Sequence, residues 1–333
     1  MHRPPRRSSW SRLGVVALMA AAALLSGSAC DTSSQAAATR LYAFPSNPLT
    51  GAAALLKDNG HPGEAAELRA IASTPSGIWA AGQPGEMQQI RRATVAAERA
   101  HAIPVIVAYD LPDRDACGRF SATAGMSAAG YQGWIDQLAA AIGKGPDIVV
   151  VEPDAVPDIV RGCLTPAGSA ERYRLLRYAM RTLGALPRAR VYLDAGNPGI
   201  FPNPAALAQP LERAGLRYGN GFSANVSNFQ WTSTMVAWSQ RLERDLGGRV
   251  GAVIDTSRNG RGPYTGPDAP QWCNPPGRAL GPRPRLNPGP AGIDAYLWIK
   301  DPGASDGPCG GGPPAGQYWP QYALGLAQRS HPQ

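Results

Sequence analysis

Histidine is scarce. The chain of 333 residues has four, His2, His61, His101 and His331. None stands at the end of an apolar, strand-like run, which sets aside a Ser/His/Asp or Cys/His nucleophile and a histidine-built zinc site. CxxC pairs are missing, and with them a structural zinc site. There is no GxSxG elbow and no phosphate loop of the Walker type. The run from Gly219 to Ala224 is loosely GxGxxA, but it precedes a strand-like run where a dinucleotide site would follow one. No Lys/Arg cluster interleaved with aromatics occurs, so nucleic acid is not an expected partner. The longest apolar run, Leu13 to Leu25, is too short for a comfortable membrane span.

That apolar run follows an arginine-rich start and leads through small residues to Cys30, the pattern of an export signal over residues 1–30. Arg6-Arg7 fits a twin-arginine signal weakly. Gly27-Ser28-Ala29-Cys30 resembles a lipoprotein cleavage site, with ordinary cleavage near Ala29 or within 35–38 as the alternative. A lipid on Cys30 is the one expected link to a membrane. Four of the eight net positive charges lie on Arg3, Arg6, Arg7 and Arg12, so the chain beyond Cys30 carries a mild +4. Setting Cys30 aside leaves Cys117, Cys163, Cys273 and Cys309, an even set that in an exported chain implies two disulfides, with three connectivities open.

Beyond a short polar linker (31–40), strand-like and helix-like runs alternate over residues 41–330. Strands are expected at 39–44, 76–81, 103–109, 148–151, 191–194, 221–225, 250–255 and 295–300. Helical patterns fall at 51–73 (broken at His61-Pro62-Gly63), 86–100, 131–142, 170–183, 205–214, 232–246 and 317–327. Such alternation predicts an α/β domain with a parallel sheet, and a sheet closed into a barrel collects its chemistry at the carboxyl ends of its strands. Residues 261–290 form a long Pro/Gly-rich insertion, a kind of loop that is usually functional.

The strongest strand signal is Ile148-Val-Val-Val151, a run suited to burial on both faces. It stops at Glu152-Pro153-Asp154, because Pro153 can donate no ladder hydrogen bond. Asp154 is thereby aimed out of the strand's carboxyl end. Two readings stay open: a partly desolvated acid with a raised pKa, or a helix N-cap. The other strand ends carry Tyr109 with Asp110 to Asp115, then Asp194, Asn225 and Asn228, Asp255, and Lys300. Carboxylates at such a rim, with Trp79, Trp231, Trp272 and Trp298 nearby, fit glycoside hydrolysis, in which aromatic rings stack on sugars and a pair of acids does the chemistry.

Seven motifs then occur in order: Tyr109-Asp-Leu-Pro-Asp-Arg-Asp115, Glu152-Pro-Asp154, Tyr192-Leu-Asp-Ala-Gly196, Asn225-Val-Ser-Asn228, Ile254-Asp-Thr-Ser-Arg-Asn-Gly260, Trp272 to Gly281, and Lys300 with Asp306-Gly307. Together they closely resemble glycoside hydrolase family 6, the inverting β-1,4-glucanases. The resemblance implies a single distorted, incompletely closed parallel α/β barrel of TIM-like build, no metal or cofactor, and a β-1,4-glucan substrate. It implies Asp154 as general acid, Asp115 as the carboxylate that raises its pKa, Asp306 as the residue assigned as base, and Tyr109 crowding the sugar at the cleavage point. Trp79, Asp194, Asn225, Trp272, Arg278 and Lys300 match substrate-binding positions, and Ser121 the closing loop. Cys117 with Cys163, and Cys273 with Cys309, match the family's disulfides.

Departures stand at Asn197 (usually His), Ile200 (usually a stacking Trp), Ala304 (usually Glu) and the extra Ala116. They predict weaker binding on the leaving-group side, or a modified glucan. Short loops predict an open cleft and internal cleavage. The expected protein is a monomeric, extracellular glucanase. A weakly active glucan-binding surface protein and an enzyme for another polysaccharide are the alternatives.

Overall fold

The computed structural model of the chain describes residues 40–118, 120–121, 126–267 and 269–330. The residues expected to form an export segment and linker, Cys30 among them, lie outside those described, up to residue 39. In chain order the elements are β1 (Arg40–Leu41), α1 (Leu49–Asp58), α2 (Pro62–Ala72), β2 (Ile78–Ala80), α3 (Glu86–Arg99), β3 (Ala102–Ile103), β4 (Val105–Ala108), α4 (Ala128–Ile142), β5 (Ile148–Val151), α5 (Ala155–Val160), α6 (Pro166–Gly184), β6 (Arg190–Asp194), α7 (Ala205–Ala214), β7 (Gly221–Ala224), α8 (Thr232–Asp245), β8 (Gly251–Asp255), β9 (Arg285–Leu286), β10 (Ile293–Leu297) and α9 (Pro320–Gln328). Among the described residues no helix is long and apolar enough to cross a membrane.

The main sheet runs β2-β4-β5-β6-β7-β8-β10-β9 and is parallel except for β9, a two-residue antiparallel edge inside the long insertion. Pro104 splits the run expected at 103–109. Its first part, β3, pairs instead with β1 in a separate two-stranded sheet. The sheet curls until its ends meet at one rim: Gly77 N donates to Trp298 O (2.8 Å) and the Trp79 indole to Ile299 O (2.9 Å), with no ladder between β2 and β10. This is the incompletely closed barrel expected from the sequence.

Alternation along the strands builds two cores. Val105, Val107, Ile148, Val150, Tyr192, Val253 and Leu297 fill the barrel interior. Ile106, Val149, Val151, Leu193, Phe222 and Ile254 point outward against the helices. Strands buried on both faces read as unbroken apolar runs, which is why β5 was so plain in the sequence. Ser127 and Thr165 cap α4 and α6 by accepting from Gly130 N and Gly168 N. All seven parallel strands of the main sheet direct their carboxyl ends to one rim.

Candidate active site

At that rim lies a cleft of about 880 Å³, the size of a small-molecule or oligomer site. The turn after β5 forms its floor. Glu152 and Asp154 both take left-handed backbone conformations (φ 49° and 70°), which their side chains favour only when held there. Glu152 is buried and accepts from Asp110 N, Leu111 N (3.2 Å each) and the Tyr131 hydroxyl (2.9 Å), tying the end of β4 to the end of β5. Burial pushes its carboxyl up to about 7. The Asp154 amide donates to Asp194 Oδ2 (3.0 Å), which also accepts from Gly196 N. Asp194 thus fixes the turn from beneath.

Asp154 occupies the N-cap position of α5, yet its side chain caps nothing. Among the described residues its carboxyl has no hydrogen-bond partner, and it lines the cleft. Its pKa is driven well above the ordinary carboxylate value, first by burial, then by the charges of Asp194, Asp158 and Asp115. Arg161 pulls weakly the other way. Of the two readings left open by the sequence, the cap is not formed: Asp154 makes no side-chain cap hydrogen bond.

Asp115 stands on the loop after β4, and its Oδ2 accepts from Ser121 N (2.9 Å) and Ser121 Oγ (3.0 Å). Ser121 Oγ also lies 2.9 Å from the Tyr109 hydroxyl, so Tyr109, Ser121 and Asp115 form one chain. Arg114 holds that chain: it donates to Ser121 O, Ala81 O and Asp110 Oδ1, also to Tyr109 O, and lies 4.8 Å over the Tyr109 ring. Trp79 meets Tyr109 edge-on at 5.2 Å.

Asp306 is set differently. Arg258 grips it through two hydrogen bonds (2.8 and 2.9 Å), Lys300 Nζ lies 3.3 Å away, and Asn274 N donates at 3.0 Å. Burial opposes its charge, but these cations outweigh burial and hold the carboxyl below its ordinary range. Desolvation lowers the Lys300 ammonium. Arg258 itself is buried, bonded to Ser227 O and stacked 4.5 Å over Phe229. The cleft therefore holds one carboxyl pushed toward its acid form and one pushed toward its anion, the division of labour that acid–base chemistry needs.

Both disulfides form with the expected pairing. Cys117–Cys163 (Cα–Cα 5.4 Å) fastens the Asp115 loop to the chain after α5, and Cys273–Cys309 (6.1 Å) brackets Asn274 and Asp306. The grouping of Cys117, Cys163 and Asp158 resembles a metal nest by position, but both thiols are consumed in the disulfide.

Trp79, Tyr109, Asp115, Ser121, Asp154, Trp272, Lys300 and Asp306 all line the cleft. Three expected substrate contacts do not. Asp194 is buried under Asp154, and Asn225 is buried with its Nδ2 on Asp255 O. Arg278 spends its guanidinium on the carbonyls of Pro276, Arg261 and Gly262 and on the Tyr264 ring. Trp231, half-exposed, and Trp298, buried, are also outside the lining. Ile200 is 37% exposed on the cleft wall, beside Asn197, whose Oδ1 is turned to Gly199 N. Sequence reading missed Arg258, which sits unremarked inside Ile254 to Gly260. It also missed Asp158 and Arg161, which follow Asp154 at helical spacing, and Asn274 beside Cys273.

A family model described as Glycosyl hydrolases family 6 matches residues 36–330. Endoglucanase 1 of Streptomyces sp. (strain KSM-9) is 44% identical over 262 residues, 77% of this chain and 70% of that protein. Endoglucanase A of Cellulomonas fimi is 40% identical over 79% of this chain, which spans 56% of that longer protein. The solved endoglucanase Cel6 from Mycobacterium tuberculosis, in complex with a methyl-cellobiosyl-4-deoxy-4-thio-β-D-cellobioside, superimposes with a TM-score of 0.78. It is 39% identical, and the match covers 89% of this chain and 99% of that one.

Proposed function

The chain belongs to glycosyl hydrolases family 6, and from that premise we propose that it is an inverting endo-β-1,4-glucanase with Asp154 as its general acid. One observation carries the reading: Asp154 and Asp306 share a cleft, with pKa values displaced in opposite directions. Asp154 protonates the glycosidic oxygen of the departing sugar, and water attacks the anomeric carbon from the other face. Asp306, held ionised by Arg258 and Lys300, is a weak proton acceptor and serves to orient water and stabilise positive charge developing on the sugar. The proton leaves by way of water toward Asp115, whose link to Ser121 and Tyr109 keeps it in place. Tyr109 presses on the sugar at the cleavage point, and Trp79 and Trp272 offer faces for neighbouring rings.

The domain order is an export segment (1–30), a linker (31–40) and the catalytic domain (41–330). The enzyme acts outside the cell as a monomer, freely secreted or lipid-anchored through Cys30. Two disulfides support an oxidising compartment. Ile200 on the cleft wall, where the family pattern leads one to expect a stacking Trp, favours a second reading: a glucan-binding surface protein of little activity.

The deciding experiment is reducing-end release from carboxymethylcellulose and mixed-linkage β-glucan, wild type beside Asp154→Asn. The expected loss in the variant is on the order of 10²- to 10⁴-fold, the worth of a positioned acid. A wild type inactive on both glucans, yet binding them, would establish the second reading.

A further inference from the structure

Among the described residues three cations line the cleft: Arg114, Arg161 and Lys300. Two are fully committed. Arg114 is spread over three carbonyls and the Asp110 carboxylate, and Lys300 is bound to Asp306 and Ser305 O. Arg161 differs. Its guanidinium forms no hydrogen bond among the described residues, its side chain is 44% exposed, and its one salt-bridge partner there, Asp158, is 3.9 Å away. Asp158 has better partners in the buried Arg172 (3.7 Å) and the Ala116 amide (2.8 Å). Of the other cleft carboxylates, Asp306 is paired with Arg258, while Asp115 and Asp301 are held by neutral donors, Ser121 for the first and Asn47, Ser76 and Tyr318 for the second, and keep their charge. Arg161 is thus the cleft cation whose guanidinium is left without a hydrogen-bond partner among the described residues.

Its position follows from α5. Asp154, Asp158 and Arg161 stand at i, i+4 and i+7, one face of the helix, and all three line the cleft. At 1.5 Å per residue, Arg161 lies roughly 10 Å along that face from Asp154. A chain held with its cleaved bond at Asp154 would bring nearby sugar substituents within reach of the guanidinium. A guanidinium presents a planar fork of donors that fits a carboxylate with two parallel hydrogen bonds, a match no neutral hydroxyl reproduces.

We propose that Arg161 is a recognition site for a carboxylate carried by the bound polysaccharide, so that the cleft takes an acidic, uronate-type β-glucan in preference to a neutral one. This rests on the glucanase reading and names its substrate class.

The test compares kcat/KM on hydroxyethylcellulose, which is neutral, with cellulose oxidised to carboxylate at its primary alcohols, for wild type, Arg161→Gln and Arg161→Lys. Melting temperatures confirm that all three are folded. The expected result is a loss on the oxidised substrate that exceeds the loss on the neutral one by about two- to fivefold in Arg161→Gln, the worth of a half-exposed ion pair, while any effect of the lost charge on Asp154 falls on both substrates alike. Arg161→Lys keeps part of the preference as a point charge. Added salt erodes the wild-type preference and leaves the neutral rate alone. Equal losses on both substrates would mean a contact to ordinary hydroxyls or an effect through Asp154 and would overturn the proposal. So would an unchanged ratio in an enzyme active on hydroxyethylcellulose, while leaving the glucanase reading intact. A wild type that cleaves neither polymer removes both.

Discussion

Asp306 lies among buried groups, and only its cations make its charge tolerable there. Arg258 supplies two hydrogen bonds from a fully buried guanidinium, and Lys300 adds a longer contact. Replacing Arg258 with Leu leaves Asp306 with Lys300 as its one cation, beside the Asn274 amide, and strips Ser227 O of its Arg258 donor. Removing one partner of a buried ion pair costs about 3–5 kcal/mol, and the remaining lysine places this case near about 3 kcal/mol. Urea denaturation of Arg258→Leu measures it; a loss under about 1 kcal/mol would contradict the account. The rim also stores backbone strain. Glu152, Asp154, Asn225 and Ser227 have positive φ without being glycine and lie within three residues of the carboxyl ends of β5 and β7, and Asp115 and Asn274, farther out on loops, share the conformation. Each costs on the order of 1–3 kcal/mol and persists because fixed partners hold it. For Asp154 that partner is Asp194, and for Glu152 the amides after β4. Sequence reading found the residues of this rim but not their partners. Asp194, Asn225 and Arg278, expected at substrate, stand outside the cleft lining, because position in a motif does not reveal which way a side chain turns.

At the scale of elements, the disulfides act where the sheet gives no support. Cys273–Cys309 joins the long insertion to the loop after β10 and closes 36 residues of chain. Chain entropy alone sets such a cross-link at about 4 kcal/mol, and measured losses run about 2–5 kcal/mol. A Cys273→Ser, Cys309→Ser double variant is expected to lose stability in that range by denaturant titration. It should also lose activity beyond that, because Asn274 and Asp306 hold each other through two hydrogen bonds inside the bracket. Full activity in a destabilised variant would show that the bracket serves stability alone. The strands themselves were legible. β5 lies at the residues expected from its apolar run, and α7 at the residues of its periodic pattern. The short α5 was not, since six residues are too few to show a period. That one helix carries Asp154 at its start and Arg161 at its end.

For the molecule as a whole, burial at the rim and under the sheet governs the response to pH. It pushes Glu152, Asp194 and Asp147 up to about 7 and Asp110 up to about 6, from ordinary values near 4. A carboxyl whose folded pKa exceeds its unfolded value binds more protons in the native state between the two. Stability therefore falls as pH rises through that window. Asp306 acts in the opposite sense: its pKa is depressed by Arg258 and Lys300, so its contribution is intact through this window and is lost only in stronger acid. The expected outcome is a melting temperature higher near about pH 5 than near about pH 8, followed by scanning calorimetry at constant ionic strength. A rise across that range would mean that the four carboxyls are ionised and satisfied in the folded state.

The sequence by itself determined the alternation of strands and helices, the rim that bears the acids, the cysteines available for bridging and the family. Each is a local matter of apolar runs, breaking residues and ordered motifs, which the chain carries in its own order. Only the tertiary structure decided what those residues do to one another. It paired the cysteines, placed Arg258 against Asp306 across 48 positions of chain, and put Asp194 beneath Asp154 across 40. It also left the Arg161 guanidinium in the cleft without a hydrogen-bond partner among the described residues. A carboxylate's proton affinity depends on how deeply it is buried and which charges stand within a few ångströms, and those distances exist only once the sheet has curled and brought distant strand ends to one rim.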